Sequence, residues 1–367
     1  MGANKPSFWG CNSMNHGLSS PVLVPAQPNW DMDYAGITAE QLIGLSDEQL
    51  AEFDPLAVNL IVAKGIPRLA DLDIRHYQHQ VNAWAWDFAY EYLPAWTTVF
   101  EKEPEYYAHN RRLFEFGMIQ QFFTQVIGIT YNEEERDGLR IRLLNPSDLF
   151  LSGLFDTLQG TCANMPVLYV ALAWRMGWSV SLACNRTHYL VRYDDGVQVF
   201  NIEAAIAKFE GSVFYWADDE LQIQRDQIRP KALSSGSDLK ALTPRERLGA
   251  FFNMRARHYR DMASQYGDRE WLRLAERDYL LACHLFPAYR EANQNLIFVR
   301  AVLAKERFDP NEAGHPMTYA QLLWEVQQYE QGTHLVQEPM PPPRRPGDSV
   351  CVRKSLSDTA LEVLASM

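Results

Sequence analysis

The spacing of apolar positions changes from helical to alternating near the middle of the chain, and the elements follow from that change. Met165, Leu168, Tyr169, Leu172 and Met176 recur at intervals of three and four, the period of a helix. Pro166 is compatible only with a first helical turn, while Arg175 and Gly177 form a C-terminal stop. The pattern predicts a helix of about 14 residues, with Cys162 at or just before its N-terminus. After Gly177, Val180 and Leu182 predict one strand and His188 to Tyr193 a second. Asp195-Gly196 is a two-residue hairpin signal, because both turn positions favour positive φ. That turn pairs Asp194 with Val197, which sets His188 opposite Glu203 and Leu190 opposite Asn201. Directly opposed Cβ atoms lie roughly 4.5–5.5 Å apart, close enough for a carboxylate to orient an imidazole. A three-residue turn shifts the register and makes Asn201 the alternative partner.

Before this region the pattern is helical. Thr38 and Gln41 form a capping-box pair, and a second helix is expected after Ser46. Pro55 divides it from a third over Leu56 to Ala63. Trp84, Trp86, Phe88, Tyr90 and Tyr92 are read as packing residues of a helical stretch, followed by a helix from Arg111 to about Ile127. Ser147 is the expected cap of a helix over Leu149 to Leu158, which delivers the chain to Gly160. Residues 1–35, rich in Pro, Asn, Ser and Gly, read as an irregular arm, and 229–242 as a linker. Thr243 and Glu246 form another capping pair and open a helical region, 243–335. Within it Ala275, Tyr279, Ala282 and Pro287 match the spacing of the second helix of a tetratricopeptide repeat, with Ala263 and Tyr266 at the small and aromatic positions of the first. One such repeat cannot bury its own faces, so it is expected to pack on the core or on additional helices. The proline-rich stretch 336–367 reads as a flexible tail. The core is thus 36–228, with a helical part over 36–158 and a Cys helix and sheet over 159–228.

The order Cys162, His188, Glu203 supplies a thiol, a base and a group to orient the base. Unpaired N–H groups and the positive end of the helix dipole lower the pKa expected for a thiol placed there. The Cys162 backbone N–H and the Gln159 side chain are the candidate donors to an oxyanion. Water as acceptor gives a hydrolase or protease, and an amine gives a transglutaminase. Cys184 and His188 have no further ligands at metal-binding spacing, so neither a metal nor a cofactor is expected.

The stretch Gly160 to Ala204 resembles the core of the transglutaminase-like superfamily, and its segments MPVLYVALAWRMGW and HYLVR resemble in particular the SirB1-type branch. The resemblance implies an α+β chain: a papain-like core with a helical N-terminal part and a helical, tetratricopeptide-like C-terminal region. It also implies a Cys-His-acid triad acting on amide bonds. Many members of that branch lack the Cys, whereas this chain has Cys162; it carries Glu203 where the family more often has Asp. Both an enzyme and a catalytically silent binding or scaffold protein remain consistent with the resemblance.

Composition narrows the partners. The 367 residues are 47% apolar and 22% charged, ordinary for a globular protein with a sizeable core. A net charge of −12 offers no broad attraction for nucleic acid or anionic lipid. No apolar run is long enough for a membrane span, and the first residues lack the apolar stretch of a secretory leader. The five cysteines, at 11, 162, 184, 283 and 351, show no paired spacing and are expected as free thiols in the cytoplasm. A peptide or protein substrate is expected, with a protein partner at the helical region.

Overall fold

A computed structural model describes residues 30, 32–132, 143–185, 188–205, 215–216 and 228–304. It is a mixed α+β chain, mostly helical, with two small open sheets. The expected arm (apart from residues 30 and 32–35), the tail and everything beyond residue 304 lie outside the described residues, Cys11 and Cys351 among them.

Two short helices, α1 (Ala39–Ile43) and α2 (Asp47–Ala51), begin at capping boxes built by Thr38 with Gln41 and Ser46 with Gln49. Asp54 caps α3 (Pro55–Ala63), where proline takes the first-turn position. Every residue of α3 is buried, as a helix without a polar face requires. The next helices are α4 (Ile74–Asp87), α5 (Leu93–Lys102) and α6 (Arg111–Gln121). A π-helical segment, Phe88–Tyr92, joins α4 to α5, and another, Phe122–Ile127, extends α6. The aromatic run divides between core and surface. Trp84 and Phe88 are buried, while Trp86 and Tyr90 are exposed and lie against one another.

Helix α7 (Leu151–Thr157) starts later than expected, and Ser147 does not cap it. The buried Asn59 of α3 instead accepts the Leu151 N–H at 3.0 Å, tying the start of α7 to the central helix. Strands β1 (Thr130–Tyr131) and β2 (Gln159–Gly160) pair in parallel. Helix α8 (Met165–Arg175) follows, shorter than predicted, and packs on α3, α4 and the main sheet. Its last residue, Arg175, is fully buried: its guanidinium donates to Asp54 at 3.0 and 2.5 Å and to Asn82 at 2.7 Å. What reads as an ordinary helix-end cation is an internal tie between α8 and the start of α3.

The main sheet is antiparallel, in the order β3 (Val180–Asn185), β4 (His188–Asp194), β5 (Val199–Ile202) and β6 (Tyr215–Trp216). Leu182, Tyr189, Val191, Tyr193, Phe200 and Ile202 enter the main core with the helices. Ala183 and Leu190 form a smaller cluster with Ile228, Ala232 and Leu239. The stretch 229–242 is more than a connection. It contains α9 (Pro230–Ser235) and runs along β3, with Leu239 and Leu242 donating to the Cys184 and Leu182 carbonyls at 2.9 and 2.8 Å.

Helix α10 (Pro244–Tyr266) opens at the Thr243–Glu246 capping box and is joined through Gly267 and Asp268 to α11 (Arg269–Leu285). Helix α12 (Arg290–Leu303) packs on α11. Ala263, Ala275, Tyr279 and Ala282 are fully buried between these helices, but Tyr266 is exposed at the end of α10. Helix α10 packs on α2 and α3, so the helical region is built onto the core. The Arg255 guanidinium joins the two parts, donating to the Val62 carbonyl at 2.7 Å while paired with Asp278.

Candidate active site

Three segments bring the site together. The first is the connection from α7 to α8. Leu158 ends α7 in the left-handed region at φ 54°, an uncommon conformation for a residue with a side chain. The chain then passes through β2 into a turn that holds Cys162. Gly160 is required there by packing, because a Cβ would lie 2.4 Å from Met165 and 2.9 Å from Leu154. Cys162 stands three residues ahead of Met165, the first residue of α8, and is partly buried.

The second and third segments are the start of β4 and the end of β5. His188 Nε2 lies 2.7 Å from Glu203 Oε2, and the second oxygen of Glu203 accepts the Ala205 N–H at 3.1 Å. The side chains are 31% and 15% exposed, so solvent reaches the imidazole but screens the pair only partly. Cys162 lies near enough to His188 to contribute to the raised pKa of the ring. Because a carboxylate only accepts, Nε2 carries the proton given to Glu203, and Nδ1 is the ring atom left for the sulfur. Burial acts to lower the His188 pKa, but the Glu203 charge and hydrogen bond, together with the nearby Cys162, outweigh it, so the pKa stands well above its ordinary value. Tyr169 of α8 is buried, and burial together with the Glu203 charge pushes its hydroxyl upward.

The two strands meet in a register that differs from the predicted one. Asp194 pairs with Val199 and Arg192 with Asn201, so that the two-residue turn is Gly196-Val197 rather than Asp195-Gly196. Asp195 explains the shift. Its Oδ1 accepts the N–H groups of Val197 and Gln198 at 2.9 and 2.8 Å, and Tyr193 donates to its other oxygen at 2.7 Å. Gly196, at φ 82°, then occupies the first turn position, the place where a type II′ turn needs glycine. The register moves by two residues, which preserves the face of every side chain. Glu203 therefore becomes a diagonal neighbour of His188 and still reaches it. Asn201 does not: its Oδ1 accepts from Arg192 at 3.0 Å, and it is fully buried.

Gln159 is exposed on β2, paired with Thr130; its backbone, rather than its side chain, is engaged, with Thr157. The other described cysteines are set apart from this chemistry. Cys184 is buried and donates to the Ser237 carbonyl at 3.0 Å, and burial raises its pKa well above the ordinary value. Burial likewise pushes Cys283 up to about 12.

No family model, curated protein or solved structure matches this chain. The chemistry of the site thus rests on its own geometry. Among the described residues no group of three or more His, Cys, Asp or Glu side chains is placed to hold a metal ion, and no helix is long and apolar enough to cross a membrane.

Two residues that the sequence does not single out matter here. Thr161 and Asn164 flank the Cys162 turn and are fully buried. Asn164 stands at the helix cap ahead of Pro166, a visible start signal, but its side chain bonds backwards to the turn rather than forwards to the helix.

Proposed function

We propose that the protein is a transglutaminase-like cysteine enzyme that breaks or exchanges amide bonds by acyl transfer. The observation that carries this reading is His188 at 2.7 Å from Glu203, with Cys162 near enough to contribute to the raised pKa of the ring. Cys162 Sγ attacks the amide carbonyl carbon, and the thiol proton passes to His188. The oxygen becomes an oxyanion, met by the Cys162 N–H, with Gln159 as the second candidate donor. His188 gives its proton to the amide nitrogen as the C–N bond breaks, leaving a thioester on Cys162. Water or an amine then attacks the thioester, losing a proton to His188, and the proton returns to sulfur as the acyl group leaves. Glu203 keeps the ring oriented throughout and stabilises its charged form.

The test is incubation of the full chain with a peptide pool and a fluorescent primary amine, read by mass spectrometry. New peptide termini mark hydrolysis, and amine-tagged peptides mark transamidation. Either product, lost in Cys162→Ala and in His188→Ala, supports the reading. Products that persist in Cys162→Ala, or no Cys162-dependent product across the pool, contradict it and favour a silent binding protein that uses the helices from 243 onward.

A further inference from the structure

The turn that carries Cys162 is fastened by two side chains that take no part in the steps above. Thr161 Oγ1 donates to the Asp148 carbonyl at 2.6 Å and accepts the Ala163 N–H at 3.1 Å. Asn164 Oδ1 accepts the Thr161 N–H at 2.8 Å, and its Nδ2 donates to the Ser147 and Phe150 carbonyls at 3.2 and 3.3 Å. Both side chains are 0% exposed. Together they tie the two-residue span Cys162-Ala163 to the segment 147–150 on either side. The N–H groups of Thr161 and Ala163 are spent on these bonds, whereas the Cys162 N–H has no hydrogen-bond partner among the described residues. Here the neighbours' side chains fix the turn without using the one donor that sits at the sulfur-bearing residue.

We propose that Thr161 and Asn164 are positioning residues, which hold the Cys162 sulfur at His188 and leave the Cys162 N–H available to substrate. This rests on the reading of the site as a Cys–His pair. Buried threonine and asparagine bonds would stabilise any turn. Positioning differs in that its loss acts through His188, and an angstrom of displacement at a reacting atom is costly.

The experiment measures iodoacetamide labelling of Cys162 against pH in the full chain, with the buried Cys184 as internal reporter of opening. Thr161→Val keeps the shape and removes the hydroxyl; Thr161→Ser restores it. The valine variant should lose roughly ten- to a hundredfold in Cys162 labelling below neutral pH, and its profile should approach that of His188→Ala. Thr161→Ser should keep the wild-type profile, and Thr161→Val should change nothing further in a His188→Ala background. Should fast Cys184 labelling show that Thr161→Val opens the fold, Asn164→Ala is read in its place, since it cuts the bond to the Thr161 N–H and leaves the hydroxyl. A wild-type profile in either variant with Cys184 still protected overturns the positioning role alone. A wild type that shows no His188-dependent labelling overturns the pair itself, and the positioning role with it.

Discussion

Glu203 is held at both oxygens, by His188 and by the Ala205 N–H, so its carboxylate has little freedom to turn away from the ring. Its charge is the leading influence raising the His188 pKa against burial. Glu203→Gln should therefore lower the His188 midpoint, as followed by NMR titration of the imidazole; an unchanged midpoint would show that the charge is not what sets it. The raised pKa also has a stability consequence. The native state binds this proton more tightly than the unfolded chain, so the contribution is fully present below the unfolded value of about 6.5 and is lost as pH rises through the native one. Compared with His188→Gln in urea unfolding, the wild type should hold its largest advantage in acid and lose it with rising pH. At this scale the sequence is informative about identity and poor on support. Cys162, His188 and Glu203 can be named as candidates from their order alone. Thr161 and Asn164 are not, because their partners stand 13 to 17 residues earlier on another segment, and only the folded chain brings them together.

Periodicity identifies α8, β3 and β4, because a helix buried on all sides and strands with a core face leave a clear pattern in the residues. The hairpin register is less legible. Asp195-Gly196 and Gly196-Val197 are both acceptable two-residue turns, and the choice is made by the Asp195 side chain, which accepts the Val197 and Gln198 N–H groups. Gly196 has open space around it, so Gly196→Ala should cost only the left-handed backbone penalty, about 1 kcal/mol, in chemical denaturation. A neutral result would place the turn elsewhere. The tie at the end of α8 should be far stronger. Arg175 and Asp54 are both buried, so Asp54→Asn leaves a guanidinium without its counter-charge and should cost about 3–5 kcal/mol in the same assay. Hydropathy alone gives no warning of this, since an Arg before a Gly also suits an exposed helix end.

Across the whole molecule, the C-terminal helices share the core that carries the site. Tyr189, the residue after His188, is hydrogen-bonded to Tyr289 at 2.8 Å and to the Ala250 carbonyl at 3.3 Å. Arg255 is paired with Asp278 and bound to α3, and Tyr259 donates to the Gly65 carbonyl at 2.6 Å. Helices α10–α12 and the core should accordingly unfold in one transition, seen together by tryptophan fluorescence and far-ultraviolet circular dichroism. Asp278→Asn should lower the stability of both at once, by about 3–5 kcal/mol, because it strands a buried cation at their junction. Two separated transitions would contradict the shared core. The sequence announces the helices through the Thr243 cap and the Ala275–Tyr279–Ala282 spacing. Their seat on α3 is invisible there, since it depends on contacts between residues nearly two hundred positions apart.

Cys162, His188 and Glu203 are proposed to act as one unit. The most direct measurement is the pH dependence of iodoacetamide labelling at each cysteine by mass spectrometry, in the wild type and in His188→Ala. Cys162 should label rapidly below neutral pH while Cys184 and Cys283 do not, and His188→Ala should abolish this behaviour. A Cys162 that labels no faster than the other cysteines, or that is indifferent to His188, would contradict it.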